Sequence, residues 1–118
     1  MDELKLKPAV KAKWVKALRS RKYKQATGQL RTPDNAFCCL GVLCNLHALE
    51  HPEYARGQIN KTRYGGNANM PPKFVEEWAG FEDTLPLVKI DGIWGSLASH
   101  NDSGVSFKKI ADAIEEQL

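Results

Sequence analysis

The run Phe37 to Leu49, FCCLGVLCNLHAL, is the feature that most restricts how this chain can fold. It is the one long apolar run, it contains every cysteine of the chain, and it leaves almost no polar face. Because it is too long for an ordinary strand, it predicts a helix that is buried on all sides. It is also well short of the roughly 20 residues that a membrane-spanning helix needs. Gly41 within the run predicts either that another stretch of backbone approaches closely there or that the regular helix begins near Gly41.

The same run carries residue types that bind metals. Cys44, His47 and His51 would lie on one helical face, and with Cys38 or Cys39 they would offer four zinc ligands. The spacing does not match the paired ligand knuckles of common zinc sites. We therefore predict buried thiols, with no metal and no cofactor. A cysteine nucleophile paired with a histidine is an alternative, but a reactive thiolate needs an electropositive and partly exposed site.

Length and composition indicate a single globular domain, residues 1–118. The chain has 118 residues, of which 42% are hydrophobic and 26% are charged, and these are ordinary globular values. An odd number of cysteines, two of them adjacent, is typical of a reduced intracellular protein. No apolar stretch follows the basic start, so we expect no signal peptide, no membrane segment and a cytoplasmic location.

Charge is polarised along the sequence. Residues 1–32 contain ten Lys or Arg and two acidic residues, whereas the rest of the chain contains seven basic and twelve acidic residues. The spacing of Val10, Trp14 and Leu18 predicts an amphipathic helix over 7–20 whose outer face is basic. Such a face is typical of a solvated surface, and also of contact with nucleic acid or an acidic partner.

The remaining patterns predict an α+β fold, in which three or four helices and a small antiparallel sheet surround the central helix. The strongest hairpin signal is LVKIDGIWGSL at 87–97, where apolar residues alternate around Asp91-Gly92. The arm from Gln25 to Thr32 is a candidate third strand of that sheet. Glu53 to Met70 is expected to be a long irregular loop. Further helical segments are predicted at 73–79, 97–102 and 107–118.

Three segments together resemble a known family. They are W-V-K-A-L-R-S with Y-K-Q at Trp14 to Gln25, F-C-C-L-G-V-L-C at Phe37 to Cys44, and N-D-S-G-V-S-F-K-K-I-A-D-A-I-E at Asn101 to Glu115. In these segments the chain is similar to a family of small uncharacterised proteins of phages, prophages and their bacterial hosts. The resemblance implies a genomic setting in which small accessory proteins often act by binding. It carries over no catalytic residue.

We predict a non-enzymatic binding protein that antagonises a host defence system by binding a protein complex or a nucleotide signal. One alternative is a nucleic-acid-binding module that uses the basic first helix. Another is a small hydrolase that uses a cysteine or the His-Asn-Asp run for general-base chemistry. A homo-oligomer is left open. The candidate contact residues lie on the basic helix and arm, in the long loop and before the last helix: Lys13, Lys16, Arg19, Lys24, Arg63, Tyr64, His100, Asn101 and Asp102.

Overall fold

A computed structural model describes residues 6–56, 64, 68–81 and 87–118. Within these ranges six helices and four short strands pack around one hydrophobic core, which confirms the α+β prediction. None of the described helices is long and apolar enough to span a bilayer. The elements in chain order are α1 (Pro8–Arg19), β1 (Lys24–Gln25), β2 (Ala36–Phe37), α2 (Cys39–Glu50), α3 (Pro52–Arg56), α4 (Lys73–Ala79), β3 (Leu87–Ile90), β4 (Ile93–Ser96), α5 (Leu97–Asp102) and α6 (Phe107–Gln117).

The apolar run forms the central helix α2, as predicted, but the helix begins later than Phe37. The helix is also not buried along its whole length, because Leu49 is 69% exposed. Cys38 is the N-cap: its backbone is extended, and its Sγ accepts a hydrogen bond from the backbone N–H of Gly41 at 3.3 Å. The predicted close approach at Gly41 is confirmed, because a Cβ added there would lie 1.7 Å from the carbonyl oxygen of Leu30. The backbone of the preceding arm therefore runs directly against the first turn of α2.

The hairpin prediction is confirmed, and the prediction of a third strand in its sheet is wrong. β3 and β4 pair in antiparallel register around Asp91 and Gly92, whose φ angles of 52° and 81° suit a two-residue turn. The arm before α2 instead contributes β1, which pairs in parallel with β2 in a separate two-stranded sheet. The turn at residues 32–35 folds the chain back on itself, with the Thr32 N–H donating to the carbonyl of Ala36 at 2.8 Å and Arg31 opposite Phe37 in an antiparallel bridge. Because β1 is parallel to β2, the chain reverses a second time between Gln25 and Arg31.

The helices predicted on either side of α2 form as expected. α1 begins at a proline, and Trp14 from its buried face donates through Nε1 to the carbonyl of Cys39 at 3.0 Å. α4 ends at Gly80, which has a φ of 108° in the left-handed region. α6 is capped by Ser106, whose side chain accepts from the N–H of Lys109 at 3.3 Å. α1 packs along α6, so the first and last helices of the described chain lie side by side.

The segment that was predicted to be an irregular loop begins with helical structure. Pro52–Arg56 forms the short helix α3, because a proline at the first helical position can start a new helix after α2 ends at Glu50. This correction adds a fifth helix around α2. Tyr64 is buried against the core. The rest of the predicted loop from 57 to 67, with the candidate contact residue Arg63, lies outside the described residues.

Candidate functional site

Asn101, a predicted contact residue, lies at the centre of the core and is fully buried. Its Oδ1 accepts hydrogen bonds from the backbone N–H of Cys39 at 3.1 Å and from Nε2 of Gln25 at 3.0 Å. Its Nδ2 donates to the carbonyl of Ala26 at 2.7 Å. Gln25 continues this network by donating to the carbonyl of Val105 at 2.7 Å. The Asn101 amide therefore fastens the β1 arm to the start of α2, which is a structural role.

The neighbours of Asn101 in α5 point to different partners. The Nε2 atom of His100 lies 2.9 Å from the carbonyl oxygen of Val88, so this buried ring bonds to β3. Oδ1 of Asp102 accepts from the backbone N–H of Gly28 at 2.9 Å, at the surface. The three side chains do not converge on one point. The structure therefore does not assemble the general base and orienting group that the hydrolase alternative would need.

All three cysteines are free and buried. Burial raises the pKa of each thiol, so a thiolate is disfavoured at every one of these positions. Among the described residues, no group of three or more His, Cys, Asp or Glu is arranged to hold a metal ion. Cys38 and Cys39 bond instead to protein atoms, with the thiol of Cys39 donating to the carbonyl of Leu97 at 3.6 Å.

The end of α2 carries an aromatic cluster that the sequence patterns did not predict. His47 is 3% exposed, and five rings surround it with centroids between 4.8 and 5.7 Å away. Its Nδ1 lies 2.7 Å from the hydroxyl of Tyr64. Burial, and then the nearby His51, lower the pKa of His47, and burial raises that of Tyr64. Tyr64 was a candidate for ligand contact, but the structure places its ring in the interior. The surrounding rings are those of His51, Tyr54, Tyr64, Phe74 and Trp78.

Ion pairs neutralise three of the four candidate cations on α1 and the following arm. Lys13 bonds to Glu50 of α2 at 2.8 Å, and Lys24 lies 3.7 Å from Asp34. Arg19 bonds to two carboxylates of α6, at 2.7 Å and 3.0 Å. Its guanidinium lowers the pKa of Glu115 through these hydrogen bonds. Within the described ranges Lys16 is exposed and has no ion pair.

An open groove of about 730 Å³ runs along α1, with Glu115 of α6 in its wall. Its floor is apolar and is formed by Pro8, Ala12 and Val15. Its rim carries the cations Lys11, Lys16, Arg19 and Lys22. The helical spacing of the floor residues is visible in the sequence, whereas the wall from α6 is not, since Arg19 and Glu115 are 96 residues apart.

A second hollow, of about 560 Å³, adjoins the groove at Arg19 and lies between the end of α1 and the start of α6. It contains Arg21 and Lys108, neither of which has an ion pair in the described part of the chain. Arg21 has a φ of 64°, in the left-handed region that glycine adopts more easily. Together the two hollows present a cationic surface around Arg19, with Lys11, Lys16, Arg21, Lys22 and Lys108 as its other members. We call it the basic surface.

A family model described as a domain of unknown function (DUF8296) matches residues 6–118. The chain belongs to this family. The match covers the groove, the buried Asn101 network and the aromatic cluster alike, and it assigns no chemistry to any of them. No curated protein and no solved structure matches the chain.

Proposed function

We infer that the protein is a non-enzymatic binding protein that holds an acidic, partly apolar segment of a protein partner in the groove along α1. One observation carries this proposal: an apolar floor is bordered by cations, and Lys16 and Lys22 have no carboxylate partner within the described residues. An apolar floor favours burial of aliphatic or aromatic side chains. Cations at its edge favour acidic groups beside them, and both preferences fit an amphipathic acidic helix or strand.

Nucleic acid fits this surface less well, for two reasons. A phosphate backbone gains affinity from uncompensated cations, and Lys13 and Arg19 are already paired with carboxylates. The wall of the groove also contains Glu115, and Asp112 and Glu116 lie beyond it on α6. These carboxylates would repel a polyanion that extended across the helix pair. A short acidic segment that stays on α1 would not cross these carboxylates.

The biological role of such binding is proposed from the family resemblance. A small accessory protein of phage type that holds an acidic segment of a host defence complex would block the assembly of that complex. A nucleotide signal is a second ligand for the same basic surface, since guanidinium and ammonium groups both bind phosphate. The hydrolase alternative has no comparable support, because His100 and Asp102 bond to separate parts of the backbone.

A displayed library of random peptides provides the test, with the purified protein as bait. We expect the enriched peptides to combine Asp or Glu with Leu, Ile or Phe. The best peptide, labelled for fluorescence anisotropy, should bind the Lys16→Glu/Lys22→Glu variant at least about tenfold more weakly than the unchanged protein. Lys73→Glu reverses one charge at an exposed position of α4, outside the groove, and should leave the affinity unchanged.

Two outcomes would overturn the proposal. One is a peptide pool that shows no enrichment in acidic residues, or a best peptide that binds the Lys16→Glu/Lys22→Glu variant as tightly as the unchanged protein. The other is stronger binding to a single-stranded RNA of arbitrary sequence, with an affinity that falls steeply as salt rises. The second result would favour the nucleic-acid-binding alternative, because each neutralised phosphate releases counterions.

A further inference from the structure

The β3–β4 hairpin has two edges, which differ in whether other parts of the fold bond to their backbone groups. Gln117 of α6 covers the β3 edge: its Oε1 accepts from the N–H of Lys89, and its Nε2 donates to the Lys89 carbonyl, both at 2.8 Å. The side chain of His100 also bonds to the carbonyl of Val88 in β3. Within the described residues, no element pairs with the outer edge of β4. Among the described residues, the β4 edge is therefore the one left open for the sheet to be extended.

The register fixes which backbone groups of β4 point outwards. Ile90 and Ile93 flank the two-residue turn, so they form a hydrogen-bonded pair, and the next pair, Lys89 with Trp94, is non-hydrogen-bonded. The bonds from Gln117 to Lys89 agree with this assignment, because both backbone groups of Lys89 face away from β4. The N–H and carbonyl of Trp94 consequently face away from β3, in position to pair with another strand.

The side chains of β4 do not protect this edge. Natural edge strands usually carry charges, prolines or bulges that discourage pairing. β4 is Ile93, Trp94, Gly95 and Ser96, with none of these features, and its first two side chains are 65% and 63% exposed. Large apolar side chains beside unpaired backbone groups are typical of a strand that pairs with a partner.

We propose that a second copy of this chain adds to the sheet through β4, antiparallel and around a two-fold axis at Trp94. In this register Trp94 lies opposite the same residue of the second copy and exchanges two backbone hydrogen bonds with it. Ile93 lies opposite Gly95 of the second copy, and the reverse contact repeats across the axis. Gly95 has no side chain of its own to clash with the exposed Ile93 side chain, which would pack over the Gly95 backbone beside the buried His100 ring.

Self-complementarity argues for a second copy over an unrelated strand. A two-fold interface requires one surface to match itself, and the exchange of Ile93 with Gly95 meets that condition. A charged strand would place like charges together across the axis, but β4 has no charged residue. The nearest cation, Lys89, is on β3. It would lie about 14 Å from its counterpart, three strand spacings away and beyond the screening length at physiological salt.

Sedimentation velocity from micromolar to near-millimolar concentration tests the proposal. We expect a monomer–dimer equilibrium for the unchanged chain. Trp94→Pro removes the outward N–H and breaks no hydrogen bond within the hairpin, so it should weaken dimerisation at least about tenfold. Trp94→Thr keeps that N–H and should dimerise more strongly than Trp94→Pro. Leu49→Lys, which changes an equally exposed residue on α2, should behave like the unchanged chain.

Trp94→Lys provides a second variant in case proline perturbs the hairpin. Its side chain lies on the solvent face, so the fold should be retained in circular dichroism, while two ammonium groups would meet across the axis and prevent pairing. The proposal is overturned if the unchanged chain stays monomeric at near-millimolar concentration. It is also overturned if Trp94→Pro dimerises as strongly as Trp94→Thr, since the interface would then not depend on backbone pairing.

Discussion

The two ends of α2 are held in different ways. At its start, the N–H of Cys39 donates to Asn101 and the carbonyl of Cys39 accepts from Trp14. Gly41 lies against the Leu30 backbone. At its end, the His47 side chain is surrounded by rings and hydrogen-bonds to Tyr64. The start depends on directional bonds between backbone and buried polar groups. The other end depends on aromatic packing, which tolerates changes of shape better. We therefore expect substitutions at the start to be the more damaging.

The largest effect is expected for Gly41→Ala. The added methyl group would overlap the carbonyl of Leu30, which is backbone and cannot move aside as a flexible side chain can. We expect the free energy of unfolding to fall by about 3 kcal/mol or more, at the upper end for overpacked sites. Urea denaturation measures this loss. Gly95→Ala is the matched control, because its new Cβ would lie 3.4 Å from the His100 ring, and a loss as large there would contradict the explanation.

A smaller but substantial effect is expected for Asn101→Ala. The change leaves the N–H of Cys39 and the carbonyl of Ala26 without their buried partner. We expect a loss of about 2–3 kcal/mol in the free energy of unfolding, also measured in urea. Asp102→Ala removes one hydrogen bond at an exposed site of the same helix and should cost less than about 1 kcal/mol. Equal losses in the two variants would mean that the buried network does not hold the start of α2.

At the other end of α2 we expect a smaller effect that depends on pH. Because the pKa of His47 is lowered in the folded protein, the unfolded chain binds more protons below its ordinary pKa of about 6.5. The free energy of unfolding should therefore fall as the pH drops below that value. Neutral His47 contributes its full stability above it. The change should be smaller than the loss in Asn101→Ala.

Thermal unfolding between neutral and mildly acidic pH measures this dependence. His47→Phe fills the aromatic cluster without a titrating group and should flatten the curve, whereas His51→Gln should leave most of the slope. The groups that face His47 include Glu50 and Glu53, which act against the shift, and His51, which adds to it. An unchanged slope in His47→Phe would assign the pH dependence to one of those groups.

Local sequence patterns predicted the elements of this fold well, because they depend on neighbours in the chain. Helical spacing predicted α1 and α6, and the Asp91-Gly92 pair predicted the hairpin. Gly41 was consistent with the close approach of another stretch of backbone. The periodicity of the apolar run could not fix the start of α2. That start depends on the N-cap geometry of Cys38 and on bonds from distant residues.

The candidate site was harder to predict, since its character depends on pairing between distant residues. Lys13, Lys16 and Arg19 look alike in sequence, but only Lys16 keeps an uncompensated charge within the described residues. The partners of Arg19 lie more than 90 residues away in α6. Asn101 looked like turn or site chemistry, and its buried role becomes visible only when the β1 arm is in place.

The side-by-side arrangement of α1 and α6 has a consequence for how the protein is made. Since 96 residues separate Arg19 from Glu115, α1 leaves the ribosome long before the helix that completes its packing. Until then α1 can pack against α2 but not against α6, and the contact with α6 joins distant parts of the chain, which is slow. The nascent chain therefore exposes part of the apolar stripe of α1 during synthesis, and the native packing of α1 is completed only after α6 has been made.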